Sequence, residues 1–246
     1  MPATAPEFDV SLASSQADIE AAQRLRYDVF VAEMGATGPD IDHAARREAD
    51  PFDPHAHHLI LRDCMRDPAS QVVGVYRLLT ATQAAKAGGF SCEAEYDLRT
   101  LTGSGRNILE LSRSCVHPDY RGGSAMFHLW KSLADYITQH DIELLFGVAS
   151  FHGTDVAQHG QALALLFEKH LSPFKVSSRA PVPLATTGYD RKSAVQQMPA
   201  LIKAYLRLGG AVGQGVYVDH AFGTTDVCMI LDTQAMNARQ KVIYAR

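Results

Sequence analysis

The stretch "NILELSRSCVHPDYRGG" (107–123) starts as a β-strand and then sets Glu110, Ser112, Arg113, Ser114 and Cys115 close together. Polar groups at that density in a sheet element cost free energy unless each has a partner or a task. By the two-residue period of a strand, Glu110 and Ser112 share one side and Leu109 and Leu111 the other, so the polar side faces a cleft, solvent or partners. Upstream, charge interrupts other core-like segments: Arg26 in "RLRYDVF", Asp50 and Asp53 in "ADPFDPH", and Arg77 in "VYRLL". An unpaired guanidinium in an apolar strand is expensive. On local pattern alone, Glu110 and Arg113 pair with other charges at a sheet end. Taken with two arginines and several carboxylates elsewhere, they read as a pocket for a small zwitterion.

These residues need elements to position them. Ser15 precedes a helix with Ile19, Ala22, Leu25 and Val29 on one face, and Asp18 stands where a capping box has its acid; the helix ends near "EMGATGPD". "HHLILRD" and "QVVGVYRLLT" flank a turn at 67–70 and read as an antiparallel hairpin. After the polar strand, Met126, Trp130, Leu133, Ala134 and Ile137 recur at helical spacing, and "ELLFGVASF" is an almost wholly apolar strand, completing a βαβ signature. "QALALLFEKHL" and "MPALIKAYLRLGG" are further helices, and the tail "GVYVDHAFGTTDVCMIL" returns to strand. The expected fold is α/β, a mixed central sheet with helices on both faces.

Composition narrows the function. With 246 residues, 46% hydrophobic and 20% charged, a full core is affordable, and a net charge of -4 without aromatic-interleaved basic patches argues against nucleic acid. Four scattered cysteines without a CxxC pair suit a reducing, cytoplasmic setting. The N-terminus has neither a basic nor an apolar leader region, and no apolar run is long enough to span a bilayer.

The segments "RYDVFVAEMG", "ADPFD", "VYRLL", "ELSRSCVHPDYR", "FGVASFHGTD" and "PALIKAYLRLGG" occur together in one order between Arg24 and Asp226. In this the chain resembles the ornithine-acyl-carrier-protein N-acyltransferases of ornithine-lipid synthesis, a family similar to the GNAT acetyltransferases and the acyl-homoserine-lactone synthases. The resemblance implies a single GNAT-like domain over 1–246, with 1–14 a flexible lead-in. It implies transfer of a long 3-hydroxyacyl chain from acyl carrier protein to the α-amine of an amino acid, ornithine first. No cofactor is bound; the acyl-phosphopantetheine thioester is a co-substrate. Acyl carrier protein and a small amino acid are the expected partners, with peripheral contact at the inner face of the membrane through the lipid product.

Residue roles follow from the same resemblance. Glu110 is the general base, acting through water, and Arg113 orients it or binds a carboxylate. Arg26, Phe30, Asp50, Asp53 and Arg77 bind the acceptor, the two aspartates holding the ammonium groups of a dibasic amino acid and Arg77 its carboxylate. Ser112, Ser114, Cys115, Val116 and Arg121 meet the acyl-pantetheine arm, a backbone N–H polarising the thioester carbonyl.

Departures and rivals complete the reading. The family commonly has glycine where Ser112 stands and basic residues after the tyrosine-arginine pair, where this chain has "GGS". That spacing also lacks the usual glycines of a CoA phosphate loop, which ranks CoA second to carrier protein. A lactone synthase would carry tryptophan near Ala36, whereas the single tryptophan is Trp130. Glycine or another neutral amino acid is the main alternative acceptor, with the carboxylates then engaged by internal arginines such as Arg26. A non-catalytic acyl-carrier-binding module is the rival from another class. No metal is expected, because His57 and His58 of "DPHAHH" point to opposite faces of a strand. Cys115 has no histidine base placed by the sequence, so it reads as a small residue lining the thioester channel and not as a nucleophile. Ser150, His152 and Asp155 lie too close together to assemble a hydrolase triad.

Overall fold

The computed structural model of the protein describes residues 5–184 and 188–237. β1 (Phe8–Leu12) leads into α1 (Gln16–Arg26), whose N-cap Ser15 accepts a hydrogen bond from the Asp18 amide at 3.2 Å. Asp18 returns its carboxylate to the amide of Ser14, one residue before the cap, so the predicted capping box is displaced by a position. The helix then widens into a π-helical segment, Tyr27–Glu33, a rare geometry that is frequent at functional positions.

β2 (Ile41–Asp42) and β3 (Arg47–Glu48) form a small hairpin. β4 (His57–Asp63) and β5 (Val72–Thr80) are the predicted antiparallel hairpin, and its turn is closed by the Ser70 amide donating to the Asp67 carbonyl at 2.8 Å. The chain continues through α2 (Ala81–Ala87), β6 (Tyr96–Asp97), α3 (Arg99–Thr102), β7 (Ile108–Val116), α4 (Ala125–Gln139) and β8 (Leu144–His152). α5 (Gly160–Lys169), β9 (Ser177–Ser178), α6 (Arg191–Gln197), α7 (Ala200–Arg207), β10 (Ala211–Val212), β11 (Tyr217–Asp219) and β12 (Thr224–Asp232) complete it. The βαβ reading holds, since β7 and β8 pair in parallel from Ile108↔Leu144 to Glu110↔Phe146.

The main sheet has eight strands in the order β1-β4-β5-β7-β8-β12-β10, with β11 on β12. It mixes the parallel β7–β8 pair with antiparallel ones, the α/β class that the alternation of elements predicts. The chain divides into two compact units, one of residues up to Gly88 with Leu111–His140, the other of Gly89–Glu110 with the described residues from Asp141 onward. β7 contributes to both.

In the first unit, helices cover both faces of the sheet. Ala22, Leu25 and Val29 of the first helical stretch pack with Ile60, Val75 and Cys115. On the opposite face α4 lies so close to β5 that a Cβ at Gly74 would meet Leu129 Cδ1 at 2.9 Å, and His57 Nδ1 reaches the Tyr136 hydroxyl at 2.9 Å. The expectation of a flexible lead-in over 1–14 is corrected at Phe8–Leu12: these residues form β1 and pair with β4 from Phe8↔Asp63 to Leu12↔Leu59, because the inward-facing residues of a short alternating segment are held against the sheet. Phe8 adds an edge contact with the Tyr120 ring. Residues 1–4 lie outside the described residues.

The second unit packs Phe90 edge-on against Phe146, and the Tyr96 hydroxyl donates to the Asp226 carbonyl at 2.7 Å. Arg106 closes the start of β7 onto Asp232 at the end of β12 with a two-pronged ion pair.

Candidate active site

Three arginines and three carboxylates predicted from, or adjacent to, the charged segments meet in the first unit. Arg26, at the last turn of α1 and fully buried, grips Asp53 with two hydrogen bonds of 2.8 and 2.7 Å, and its Nε lies 2.5 Å from Glu48 Oε2. Arg77, equally buried in β5, donates to Asp53 at 3.0 Å, to Asp50, and to the Ser112 hydroxyl at 3.0 Å. Arg113 closes the ring, reaching Glu48 at 3.0 Å and Asp50 at 3.0 Å. Gln23 supplies one more donor to Asp53, at 2.8 Å. Removing charges of both signs from water together is tolerable only because each carboxylate finds a guanidinium.

The electrostatics follow from that matching. Burial pushes the Asp53 carboxyl up, yet the Arg26 hydrogen bonds and the charges of Arg26 and Arg77 outweigh it and hold it below the usual carboxylate range. Asp50 is lowered by the same balance, burial opposed by Arg77 and Arg113. Burial disfavours the charged form of Arg26 and of Arg113, but their acidic partners reverse it and raise both. His58 accompanies the cluster on β4, its Nε2 3.0 Å from the Asp53 carbonyl oxygen; burial lowers its pKa and keeps it neutral at physiological pH.

Arg113 differs from its two fellow arginines. Its side chain is 23% exposed, whereas those of Arg26 and Arg77 show none of their surface. Its backbone sits at φ 52°, the left-handed region that a residue with a Cβ rarely adopts, in the middle of a strand. Such an outlier within a strand is the kind of local distortion that marks a working site. Ser112, Arg113 and Ser114 are the half-buried residues of β7, with buried residues on either side.

The remaining sequence-predicted residues separate. Glu110, in the second unit and fully buried, accepts hydrogen bonds on its two oxygens from the amide, at 2.7 Å, and from the hydroxyl of Ser91. The Cys115 side chain belongs to the apolar cluster under α1, and burial pushes its thiol up to about 12. Arg121 is held by Glu33 through bonds of 2.5 and 2.7 Å, and its Nε donates to the Val116 carbonyl at 3.0 Å. Phe30, in the π-helical segment, packs half-buried against the Cys115 cluster.

Asp50 and Asp53, expected to hold ammonium groups of an acceptor, are both bonded to arginines. Glu48, Gln23 and Ser91 were not singled out by sequence reasoning. Glu48 stands two residues before Asp50 in "READPFD", where the acidic run was the available signal; nothing in the sequence marks Gln23 or Ser91. Among the described residues, one acidic trio has ligand-capable atoms within 4.8 Å of one another: Glu95, Asp219 and Asp226 of the second unit. Burial raises the Asp226 carboxyl to about 6.

The mixed sheet with helices on both faces is the GNAT-like fold, and residues 25–131 match the acetyltransferase (GNAT) domain family. Among solved structures of the same fold, the chain is similar to FeeM, an N-acyl amino acid synthase from uncultured soil microbes, at 11% identity and a TM-score of 0.57 over 97% of this chain and 99% of that one. It is also similar to the AHL synthase LasI, at 16% identity and a TM-score of 0.54, over 98% and 95% of the two chains. The L-ornithine N(alpha)-acyltransferase of Rhodobacter capsulatus is 52% identical across 99% of this chain and 97% of its own, and that of Brucella abortus is 39% identical across 94% and 86%. The chain belongs to the L-ornithine Nα-acyltransferase family.

Proposed function

We propose that the protein transfers a 3-hydroxyacyl group from the phosphopantetheine thioester of acyl carrier protein to the α-amine of ornithine. The observation that carries this reading is the near-full-length likeness to L-ornithine Nα-acyltransferases. The local chemistry supports it. An α-ammonium is mostly protonated at neutral pH, so attack needs a proton acceptor, and Glu110 takes that proton through water while Ser91 fixes the carboxylate. The freed amine adds to the thioester carbonyl, whose oxygen is met by a backbone N–H of the Ser114–Val116 segment. The C–S bond then breaks, the thiolate takes the second proton lost by the nitrogen, and an amide and a free carrier thiol result. Arg113, the half-buried member of the cluster, receives the carboxylate of the acceptor; Glu48 and Asp50 hold it, and Arg26, Arg77 and Asp53 hold them.

The product is an amphiphile, and its chemistry favours release to a membrane surface; among the described residues no helix is long and apolar enough to cross a membrane. A second reading, in which the acceptor is glycine or another neutral amino acid, is favoured by the engagement of both Asp50 and Asp53 with arginines. Incubating purified protein with a 3-hydroxyacyl carrier thioester, or the matching CoA thioester, and each amino acid in turn separates these readings. Thiol release with carrier thioester and ornithine above all other pairs is expected. Equal rates with CoA sink the carrier as donor, and thiol release no faster than background with any amine sinks the enzyme reading.

A further inference from the structure

We infer that Asp40 selects the acceptor, its carboxylate binding the side-chain ammonium of a dibasic amino acid in the cavity beside α1 and the β2–β3 hairpin. This rests on ornithine as the acceptor. The cavity, of 370 Å³, is lined by Gln23, Asp40, Asp42, Arg47 and Ala49 among others, a volume within the range of small-molecule sites. Its charged groups are not equivalent. Arg47 is neutralised by Glu20 at 3.1 Å, and Asp42 Oδ1 accepts the Ala45 amide at 2.8 Å within the hairpin turn. Asp40 is tied down through its backbone, where its carbonyl accepts the Ala49 amide at 2.8 Å, and its carboxylate has no hydrogen-bond or ion-pair partner among the described residues.

Burial raises the pKa of Asp40, and the nearby charges of Asp50, Glu48 and Asp53 raise it further against the pull of Arg113. A half-buried carboxylate that lines a cavity without a partner of its own attracts a cation. Gln23 links the cavity to the arginine cluster, lining the one and donating to Asp53 of the other. A dibasic acceptor that enters this cavity meets an opposite charge for its distal ammonium at Asp40. The dibasic specificity expected of Asp50 and Asp53 moves to a carboxylate that no arginine holds.

The test compares ornithine with norvaline, which has the same carbon skeleton without the side-chain ammonium, in initial-rate assays on the full chain with one carrier thioester. A lost charge-assisted bond raises the ornithine KM of Asp40→Asn by about ten- to a hundredfold, with kcat and the norvaline KM changed less than about twofold. Asp40→Glu restores part of the ornithine affinity, and calorimetric titration of ornithine into the thioester-free protein shows the same ranking. If wild type prefers ornithine and Asp40→Asn leaves its KM within about twofold, or raises both KM values alike, Asp40 is not the selector and the acceptor reading stands. If wild type uses norvaline as well as ornithine, the ornithine reading itself fails and Asp40 with it.

Discussion

Replacing Asp53 by asparagine tests whether the arginine–carboxylate cluster is scaffold or substrate contact. Asp53 is 2% exposed and receives two bonds from Arg26, one from Arg77 and one from Gln23. Asparagine keeps the shape but removes one negative charge, leaving the fully buried Arg26 and Arg77 short of a counter-charge. It also turns an amide NH₂ toward donors. Breaking a buried ion pair from one side costs about 3–5 kcal/mol. At about 2–4 °C per kcal/mol for a chain of this size, the midpoint should fall by about 6–20 °C. Thermal and urea unfolding of both proteins measure this directly, with an unchanged m-value expected. The native pKa of Asp53 is depressed below its ordinary value of 3.8, so its contribution is complete above that value and is lost as pH falls from there toward the lower native one. Wild type should accordingly lose stability below about pH 4, and Asp53→Asn should lose less over the same interval. A variant within about 1 kcal/mol of wild type that shows a selective rise in ornithine KM would refute the scaffold assignment.

Three further outcomes follow from the same geometry. Glu110→Gln should lower kcat by about 10²–10³-fold, the defect shrinking as pH rises and the free amine accumulates; a defect independent of pH would assign Glu110 to positioning alone. In the native protein at pH 8, iodoacetamide should label Cys64, which is exposed, and spare Cys92, Cys115 and Cys228, which are buried; rapid labelling of Cys115 would contradict a thiol pushed up to about 12. Gly74→Ala should destabilise the protein by about 1–3 kcal/mol in urea titration, because the new methyl meets Leu129 of α4, whereas a neutral outcome would show that α4 retreats freely.

What the sequence made legible were the elements with strong periodicity. The β4–β5 hairpin, the β7-α4-β8 crossover and the β11–β12 tail are where alternation and helical spacing place them, and Arg26, Asp50, Asp53, Arg77 and Arg113 do converge. The pairing inside that cluster was hidden. Glu48 sits in a two-residue strand too short to have a pattern, and Gln23 is one polar position on an amphipathic helix, so neither carries a local signal of its partner. The π-helical turns after Arg26 continue the α-helical hydrophobic pattern and differ only in which carbonyl each amide reaches. β1 is an edge strand of five residues, too short for its alternation to stand out, and its order comes from pairing with β4. Cys115 packs in the apolar cluster under α1, a burial that its polar neighbours in the sequence do not announce.

The most direct test of the account is the regiochemistry of the product formed from a 3-hydroxyacyl carrier thioester and ornithine. If the distal ammonium is held as a cation while Glu110 accepts a proton from the other nitrogen, tandem mass spectrometry will place the amide on the α-nitrogen and leave the side-chain amine free. A product acylated on the side-chain nitrogen, or a mixture of the two amides, would contradict it.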